Sequence, residues 1–463
     1  MSDNQIGAII ESGPADWQII QQDGDGLGRI GLQGRWAADT QGSVEVRLVW
    51  EDTGAAVSRS LDWQPAGAAR NKKWKATLSK IPAGGLYRLE TRFHQKGMTA
   101  GEWSARGDMR HFLGVGDLWV IAGQSNSAGY GRGPVFDPPE PGIHMLRNSG
   151  QWAPATHPMN ESTDTKHPVN REGANPGHSP YLHFARLLKQ RLGHPIGLIP
   201  TALGGSPLSA WNPTEPGGAP LYENMLHCVK LAGGRAKGVL WYQGESDAGG
   251  TNAATYATRF IKAVRAWRKA MKHPGLTVIT VQINRVYGVA GDADADRGWT
   301  ILREAQRQVP RRLAGAAVVP TFDLPLSDGI HTGPAGNMLL AERMARAALG
   351  MAYGRKIDWR APEIESAKAE AGGKEILLTF APVTSRMDSI DQTANCFMVE
   401  DADGAVPVTK LAYPQNATIR LILERAIRGR AFVHGGYGFN PPTVPMDMER
   451  FIPMLGFYAV PVA

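Results

Sequence analysis

An α/β fold is predicted for the middle of this chain, built on a doubly wound parallel sheet and flanked on both sides by β-rich regions. Three observations predict it. Between residue 114 and about residue 357, short apolar runs alternate with helical patterns. Residues 1 to about 113 carry period-two strand patterns and Gly-rich turns, with no amphipathic helix. From about 358 to 463 strand patterns return. Three domains are therefore expected: 1–113 as a β-sandwich, 114–357 as the α/β region, and 358–463 as a second β-sandwich.

In the first region, Val44–Trp50 and Leu86–Phe93 alternate apolar and polar residues as half-buried strands do. Gln22-Asp-Gly-Asp-Gly26 and Pro82-Ala-Gly-Gly85 between such runs are turn chemistry. The middle region offers five strands: Leu118–Ala122, Ile196–Thr201, Gly238–Tyr242, Leu276–Ile283 and Ala316–Phe322. Helical patterns separate them at Tyr181–Arg191, Leu221–Ala232, Ala253–Met271 and Thr300–Gln308, and a fifth follows at Pro334–Ala348. Pro334 suits the first helical position, where a missing N–H costs nothing. Strands joined by helical crossovers pair in parallel. The stretch from Gly131 to Gly177 has little periodicity and many Pro, Gly, Asn and His residues, as expected of a long loop forming one wall of a cleft. In the last region, Glu375–Phe380, Cys396–Glu400 and Thr418–Leu423 read as strands, with a hairpin turn at Asp401-Ala-Asp-Gly404.

Composition excludes several classes. The 463 residues are 42% hydrophobic and 20% charged, with a net charge of +7, which suits an ordinary globular chain with ample core material. The basic residues are scattered, so no nucleic-acid arm is expected. No apolar stretch approaches the roughly 18 residues of a membrane span. Residues Met1–Gly7 lack the basic and apolar parts of a signal peptide, so a cytoplasmic chain is expected, or a secreted or periplasmic one if a leader has been removed. Cys228 and Cys396 are the two cysteines, far apart and read as reduced structural thiols.

The chemistry lies where apolar strands end. Leu118–Ala122 runs into Gly123-Gln-Ser-Asn-Ser127, which presents the Ser125 hydroxyl at the carboxyl end of a strand, the ligand-binding edge of an α/β sheet. An acyl-transfer serine needs a base, an acid to orient it, and donors for the oxyanion. Asp328-Gly-Ile-His331 follows the last predicted strand, and its spacing lets Asp328 accept the His331 Nδ1 proton within one turn. The Ser125 amide, Gly205 in Thr201–Trp211, and the Gln243 side chain in Leu240–Asp247 are candidate oxyanion donors, each at a strand end. Ser246 is a rival nucleophile and Glu245 a rival acid. Trp211 is read either as a sugar-stacking wall or as core.

Gly123–Ser127 lacks the second glycine of the G-x-S-x-G elbow, which points away from the α/β-hydrolases. The five histidines from His144 to His183 lack metal-ligand spacing, and Asp292-Ala-Asp-Ala-Asp296 lacks the glycine and distal Glu of a calcium loop. The acidic run is read as a solvated turn. No metal and no cofactor are expected.

These blocks resemble the SGNH (GDSL-like) hydrolase superfamily and, within it, the sialate O-acetylesterase-like carbohydrate esterases. The resemblance rests on Gly123–Ser127, Gly204-Gly-Ser206, Trp241–Asp247 and Asp328–His331 in that order, with Leu302–Gln306 and Tyr437–Pro442 similar as well. It spans about 114 to 350 and implies a three-layer, flavodoxin-like domain with a five-stranded parallel sheet. It also implies a serine esterase that removes O-acetyl groups from sugars, sialate first. The wider superfamily has Asn in the third block where Gln243 stands here, as in the carbohydrate-esterase branch. By the resemblance, Asp328 is the first choice to orient His331 and Glu245 the alternative. An acetylated carbohydrate is the expected partner. An acetylxylan or hemicellulose acetylesterase, or a non-catalytic carbohydrate-binding protein with a degenerate hydrolase region, are the alternatives. The oligomeric state is not legible.

Overall fold

A computed structural model describes residues 7–67, 71–98, 104–166, 168–174, 176–287, 292–414 and 416–463. Met1–Ile6 of the leader reading and His167 of the histidine group lie outside the described residues. At the centre is a sheet whose strands run in the order Trp152–Pro154, Ile143–Leu146, Ile196–Pro200, Ala105–Gly123, Gly238–Tyr242, Thr277–Val281 and Ala316–Val319. All neighbours pair in parallel except Trp152–Pro154, which is antiparallel to Ile143–Leu146. The parallel part thus has six strands, not the five expected from the sequence. The added strand, Ile143–Leu146, lies inside the stretch read as a loop. It has four residues, all buried, including His144, so it shows neither length nor alternation.

Six helices surround or cap this sheet: α1 Ser125–Ala128, α2 Tyr181–Leu192, α3 Pro220–Leu231, α4 Gly250–Ala270, α5 Ala293–Arg312 and α6 Pro334–Ala352. Helix α2 packs on α6 and α4 on α5. Strand residues such as Val120, Ile199, Leu240 and Ile279 are fully buried between these layers; each contributes about 1.5–3 kcal/mol of apolar burial. Pro334 occupies the start of α6. Helix α5 starts well before the expected Thr300. Asp292 is its N-cap, accepting from the Asp294 and Ala295 amides at 3.1 and 3.0 Å, and Asp294 and Asp296 fill the first turn. The run read as a solvated acidic turn is therefore a helix start, where negative charge offsets exposed N–H groups.

Strand Ala105–Gly123 is 19 residues long. Its first half pairs antiparallel with Gly84–Gln95, and its second half enters the central sheet. One strand therefore runs through residue 113, where the composition changes. Before it, the three-stranded sheet of Ala8–Ser12, Leu27–Trp36 and Lys73–Pro82 shares a core with Gly42–Trp50 and Gly84–Gln95 through Ile30, Leu32, Trp74, Val46, Leu89 and Phe93. After α6, two four-stranded sheets share a core containing Ile376, Leu378, Val399, Leu421, Val433 and Phe457. Strands Phe397–Asp401 and Gly404–Val406 form a hairpin across Asp401 and Gly404. Cys228 and Cys396 are both buried and free, and burial pushes both thiols up to about 12.

Arg303, fully buried on α5, ties the C-terminal region to the central one. Its guanidinium donates to the carbonyls of Asn284 (2.8 Å), Gly436 (3.2 Å) and Phe439 (3.3 Å), and also to that of Gly438. The Leu302–Gln306 and Tyr437–Pro442 segments meet in this way, through a cation whose donors are matched by carbonyls.

Among the described residues, no helix is long and apolar enough to cross a membrane.

Candidate active site

Ala105–Gly123 lies between Ile196–Pro200 and Gly238–Tyr242, at the point where the chain switches from building one side of the sheet to building the other. Three of the four motif blocks leave the carboxyl ends of these three adjacent strands. Gly123 makes the approach possible. Its φ is +128°, and a Cβ there would lie 2.1 Å from the Tyr242 carbonyl oxygen on the neighbouring strand. Gln124 locks the first block to the third: its amide donates to the Tyr242 carbonyl at 3.0 Å, and its Oε1 accepts from Gly244 and Ser246 at 3.3 and 3.2 Å.

Ser125 opens the single turn α1 and is partly exposed. The fourth block is brought to it by Asn126. Asn126 Oδ1 accepts from the Thr332 amide at 2.9 Å, and its Nδ2 donates to the Ile330 carbonyl at 3.3 Å and to Glu245 Oε1 at 2.8 Å. The residue after Ser125 thus grips both neighbours of His331. Tyr130 adds a second grip, its ring stacked on the His331 imidazole at 5.0 Å and 27°.

Asp328 and His331 meet as their spacing predicts. Asp328 Oδ2 lies 2.7 Å from His331 Nδ1, while Oδ1 accepts from the Ile330 and His331 amides at 2.9 and 2.7 Å. Desolvation alone would raise the Asp328 pKa; these amide and imidazole donors outweigh it and hold the carboxyl below its usual range. His331 Nε2 and Ser125 Oγ form no hydrogen bond with each other or with any other described residue, leaving both open to a ligand. Such contacts commonly tighten only in the substrate complex.

Gly205 is exposed, with φ +68° and nothing within 4 Å of its Cβ position, and no protein acceptor takes its amide among the described residues. Its turn is held beside Gly123, whose carbonyl accepts from the Leu203 amide at 3.0 Å and from Ser206 Oγ at 3.3 Å. Glu172, buried in the cleft wall, supports the same turn: its Oε1 accepts from the Gly204 amide at 3.0 Å and its Oε2 from the Tyr130 hydroxyl at 2.7 Å.

The oxyanion reading of Gln243 requires correction, and the alternatives left open at Trp211 and Glu245 are separated by their contacts. Gln243 is fully buried, and its Nε2 is already engaged by Asp247 Oδ2 (2.7 Å) and the Ser206 carbonyl (3.3 Å). Its Oε1 lies 2.8 Å from the Tyr256 hydroxyl, and the Asp247 carboxylate, which can only accept, fixes the amide's orientation. It has no donor left for an oxyanion, and instead braces the second and third blocks. Trp211 is core: it is fully buried, with its indole N–H on Ser206 Oγ at 3.1 Å, so it cannot stack a sugar. Glu245 makes no hydrogen bond to His331; it is held by Asn126, and its Oε2 is buried without a partner. Ser246 is exposed and gives its hydroxyl to the Gly205 carbonyl at 3.1 Å.

Desolvation raises the Glu245 pKa. With the folded value above the unfolded one, the ionised carboxylate costs stability at neutral pH, and that cost is relieved as pH falls through the raised value toward about 4.3. Glu245→Gln is therefore expected to gain in melting temperature relative to the unsubstituted protein as pH rises from 5 to 8. Thermal unfolding at both values checks this; an offset independent of pH would contradict it.

Residues 115–350 match the family model described as "Carbohydrate esterase, sialic acid-specific acetylesterase". The chain belongs to this carbohydrate esterase family. Over 257 residues it is 31% identical to an Arabidopsis thaliana protein named as a probable carbohydrate esterase, covering 50% of this chain and 90% of that relative. The crystal structure of a carbohydrate acetylesterase from Xanthomonas citri shares the fold, with a TM-score of 0.67 at 22% identity over 96% of this chain and 97% of that one. The esterase is thus a hydrolase of carbohydrate esters, and its flanking β regions belong to a fold also found in that neighbour.

Asn126, Tyr130 and Glu172 had no assigned part in the sequence reading. Asn126 sits inside Gly123–Ser127, where an amide beside a strand-end serine is a signal in the sequence. Tyr130 and Glu172 act through contacts that no local spacing reports.

Proposed function

We propose that the esterase removes O-acetyl groups from sugars, sialic acids first among them, with Ser125 as nucleophile. The observation that carries this reading is Asn126, which binds both flanks of His331 while standing next to Ser125. Ser125 Oγ attacks the acetyl carbonyl carbon, and its proton passes to His331 Nε2. Asp328 accepts a hydrogen bond from Nδ1–H without taking the proton, keeping Nε2 basic and then stabilising the imidazolium. The oxyanion is received by the amides of Ser125 and Gly205, neither of which has an acceptor among the described residues; one such donor is typically worth about 100- to 1000-fold in rate. The imidazolium returns its proton to the departing sugar oxygen as the carbon–oxygen bond breaks. Water, deprotonated by His331, then attacks the acetyl-serine, releasing acetate and restoring the Ser125 hydroxyl.

Sialate specificity is supported by the description of the matching family model. The test is acetate release from O-acetylated sialic acid carried on an oligosaccharide, sialyllactose, and from acetylxylan, measured side by side. A kcat/KM at least about tenfold higher on the sialate, a difference of about 1.4 kcal/mol in transition-state binding, is expected. Preference for acetylxylan would keep the chemistry and overturn the substrate. Glycan binding without release from either would favour a non-catalytic protein.

A further inference from the structure

Immediately after Tyr130 the chain makes an excursion, Arg132-Gly-Pro-Val-Phe136, that the chemistry above does not use. Its tip is apolar and open: Val135 is 41% and Phe136 87% exposed. Exposed apolar residues at loop tips are ordinary when the loop is loose. This loop is fastened at both ends to the same place.

At its start, Gly131 pairs with His178 through two backbone hydrogen bonds of 3.1 and 2.9 Å, and the Arg132 amide donates to Ser327 Oγ at 3.1 Å. At its end the buried Asp137 carboxylate returns to His178. Oδ2 accepts from His178 Nε2 at 3.2 Å and from His157 Nε2 at 2.9 Å, while Oδ1 accepts from Arg186 Nη1 at 2.6 Å. Arg186 also donates to the Pro138 carbonyl at 2.7 Å.

Asp137, His157 and His178 are close enough to suggest a metal site, with candidate ligand atoms within 4.8 Å of one another. Proton bookkeeping argues against it. The Ser179 amide donates to His157 Nδ1 at 3.4 Å, and Asn337 Nδ2 faces His178 Nδ1 at 3.3 Å. Asn337 cannot be turned round, because the same Nδ2 also donates to the His178 and Thr332 carbonyls at 3.0 and 3.3 Å. A donor group thus faces Nδ1 of each ring and leaves no place for a proton there, so both rings carry their proton at Nε2, where Asp137 accepts it. Arg186 satisfies the other carboxylate oxygen. The cluster is a clamp whose carboxylate is already fully served.

What the clamp presents is Phe136. Between the anchors Gly131 and Asp137 the chain takes six steps, so its backbone tip stands no more than about 10 Å from the base, at roughly 3.4 Å per extended residue. That base adjoins the site: a Cβ on Gly131 would lie 3.0 Å from the Thr332 carbonyl oxygen, and the Ser327 amide donates to the His331 carbonyl at 2.8 Å. An aromatic ring held open to water beside a carbohydrate-ester site, with its ordering cost already met by the fold, is suited to cover the apolar C–H face of a pyranose.

We propose that Phe136, supported by Val135, is a sugar-ring platform of this esterase, and that it contacts a sugar unit joined to the acetylated one. The substrate class is then an acetylated residue within a longer glycan rather than a free monosaccharide. This rests on the deacetylation reading above.

The test compares the unsubstituted protein, Phe136→Ala and Phe136→Trp on p-nitrophenyl acetate, on O-acetylated sialyllactose and on acetylated xylo-oligosaccharides. For whichever oligosaccharide the unsubstituted protein prefers, Phe136→Ala is expected to raise KM about tenfold more than it does for p-nitrophenyl acetate, as loss of a contact hot spot does. Phe136→Trp is expected to restore it. Parallel losses on all substrates, an unchanged KM on the oligosaccharide, or a change in sedimentation with KM spared would each overturn the platform, the last by giving Phe136 to a second copy of the chain. Calorimetric binding of the same oligosaccharides to Ser125→Ala, with and without Phe136→Ala, keeps this decision separate from the deacetylation reading. If no acetate is released, a tenfold weaker Kd on removing Phe136 still supports the platform, and absence of binding to the Ser125→Ala protein overturns it.

Discussion

Replacing Ser125 by alanine is expected to lower kcat for acetate release by on the order of 10⁴- to 10⁶-fold while the protein remains folded. The size of the effect follows from what the hydroxyl does. In the proposed mechanism the hydroxyl forms the acetyl-enzyme, and without it only the amides of Ser125 and Gly205 and substrate positioning would remain. The cost to the fold is small, because Ser125 Oγ is hydrogen-bonded to no other described residue and the turn is held by Gln124, Asn126 and Ser127 instead. Ser246→Ala, by contrast, loses one hydrogen bond to the Gly205 carbonyl and is expected to keep kcat within about tenfold. Steady-state kinetics on p-nitrophenyl acetate separate the two. Equal activity of Ser125→Ala and the unsubstituted protein would sink the assignment.

Asp328→Asn is expected to lower kcat by about 10²- to 10⁴-fold with KM little moved. The substitution keeps the loop, since the amide oxygen can still accept from the Ile330 and His331 backbone. It replaces Oδ2 with a donor facing Nδ1 at the position now 2.7 Å away. The imidazole must then accept there and carry its proton on Nε2, toward Ser125, where a base is needed. The Asp328 side chain is 44% exposed, so water can partly restore the tautomer, which sets the lower end of the range. The pH dependence has a definite sign. The folded-state pKa of Asp328 lies below its unfolded value, so its support for the loop is present above the unfolded value and is lost only as pH falls through the folded one. Ionisation of Asp328 therefore should not set the acid limb of kcat/KM in the range where histidines titrate. If Glu245→Gln abolished activity and Asp328→Asn spared it, the two acids would exchange roles.

The sheet and the four blocks were legible because each rests on short-range chemistry. Buried parallel strands read as apolar runs, and Leu118–Ala122 and Gly238–Tyr242 both end abruptly in Gly and polar residues at the edge where ligands bind. Asp328 and His331 are legible because three residues is one turn. Ile143–Leu146 was not legible, being too short to show a period and carrying a buried histidine whose Nδ1 is satisfied by the distant Trp17 carbonyl at 2.6 Å. The fate of Gln243 depends on Tyr256, on the next helix, and on Asp247, four residues on but placed by its own contacts to the Leu208 amide (2.8 Å) and Arg259 (2.9 Å). Whether Trp211 is wall or core depends on Trp241, which meets it edge-on at 5.4 Å. Asn126 reaches partners more than two hundred residues away. Residue type shows what such side chains can do, and long-range packing decides which partner they meet.

The most direct test of the central claim is covalent. Treating the protein with a p-nitrophenyl phosphonate ester, which traps an activated serine as a stable adduct, and mapping the labelled peptide should place one label on Ser125 in Gly123–Ser127. The rate of labelling should match the loss of activity, and both should fall in Asp328→Asn. A label on Ser246, or complete inactivation with Ser125 unmodified, would contradict the account.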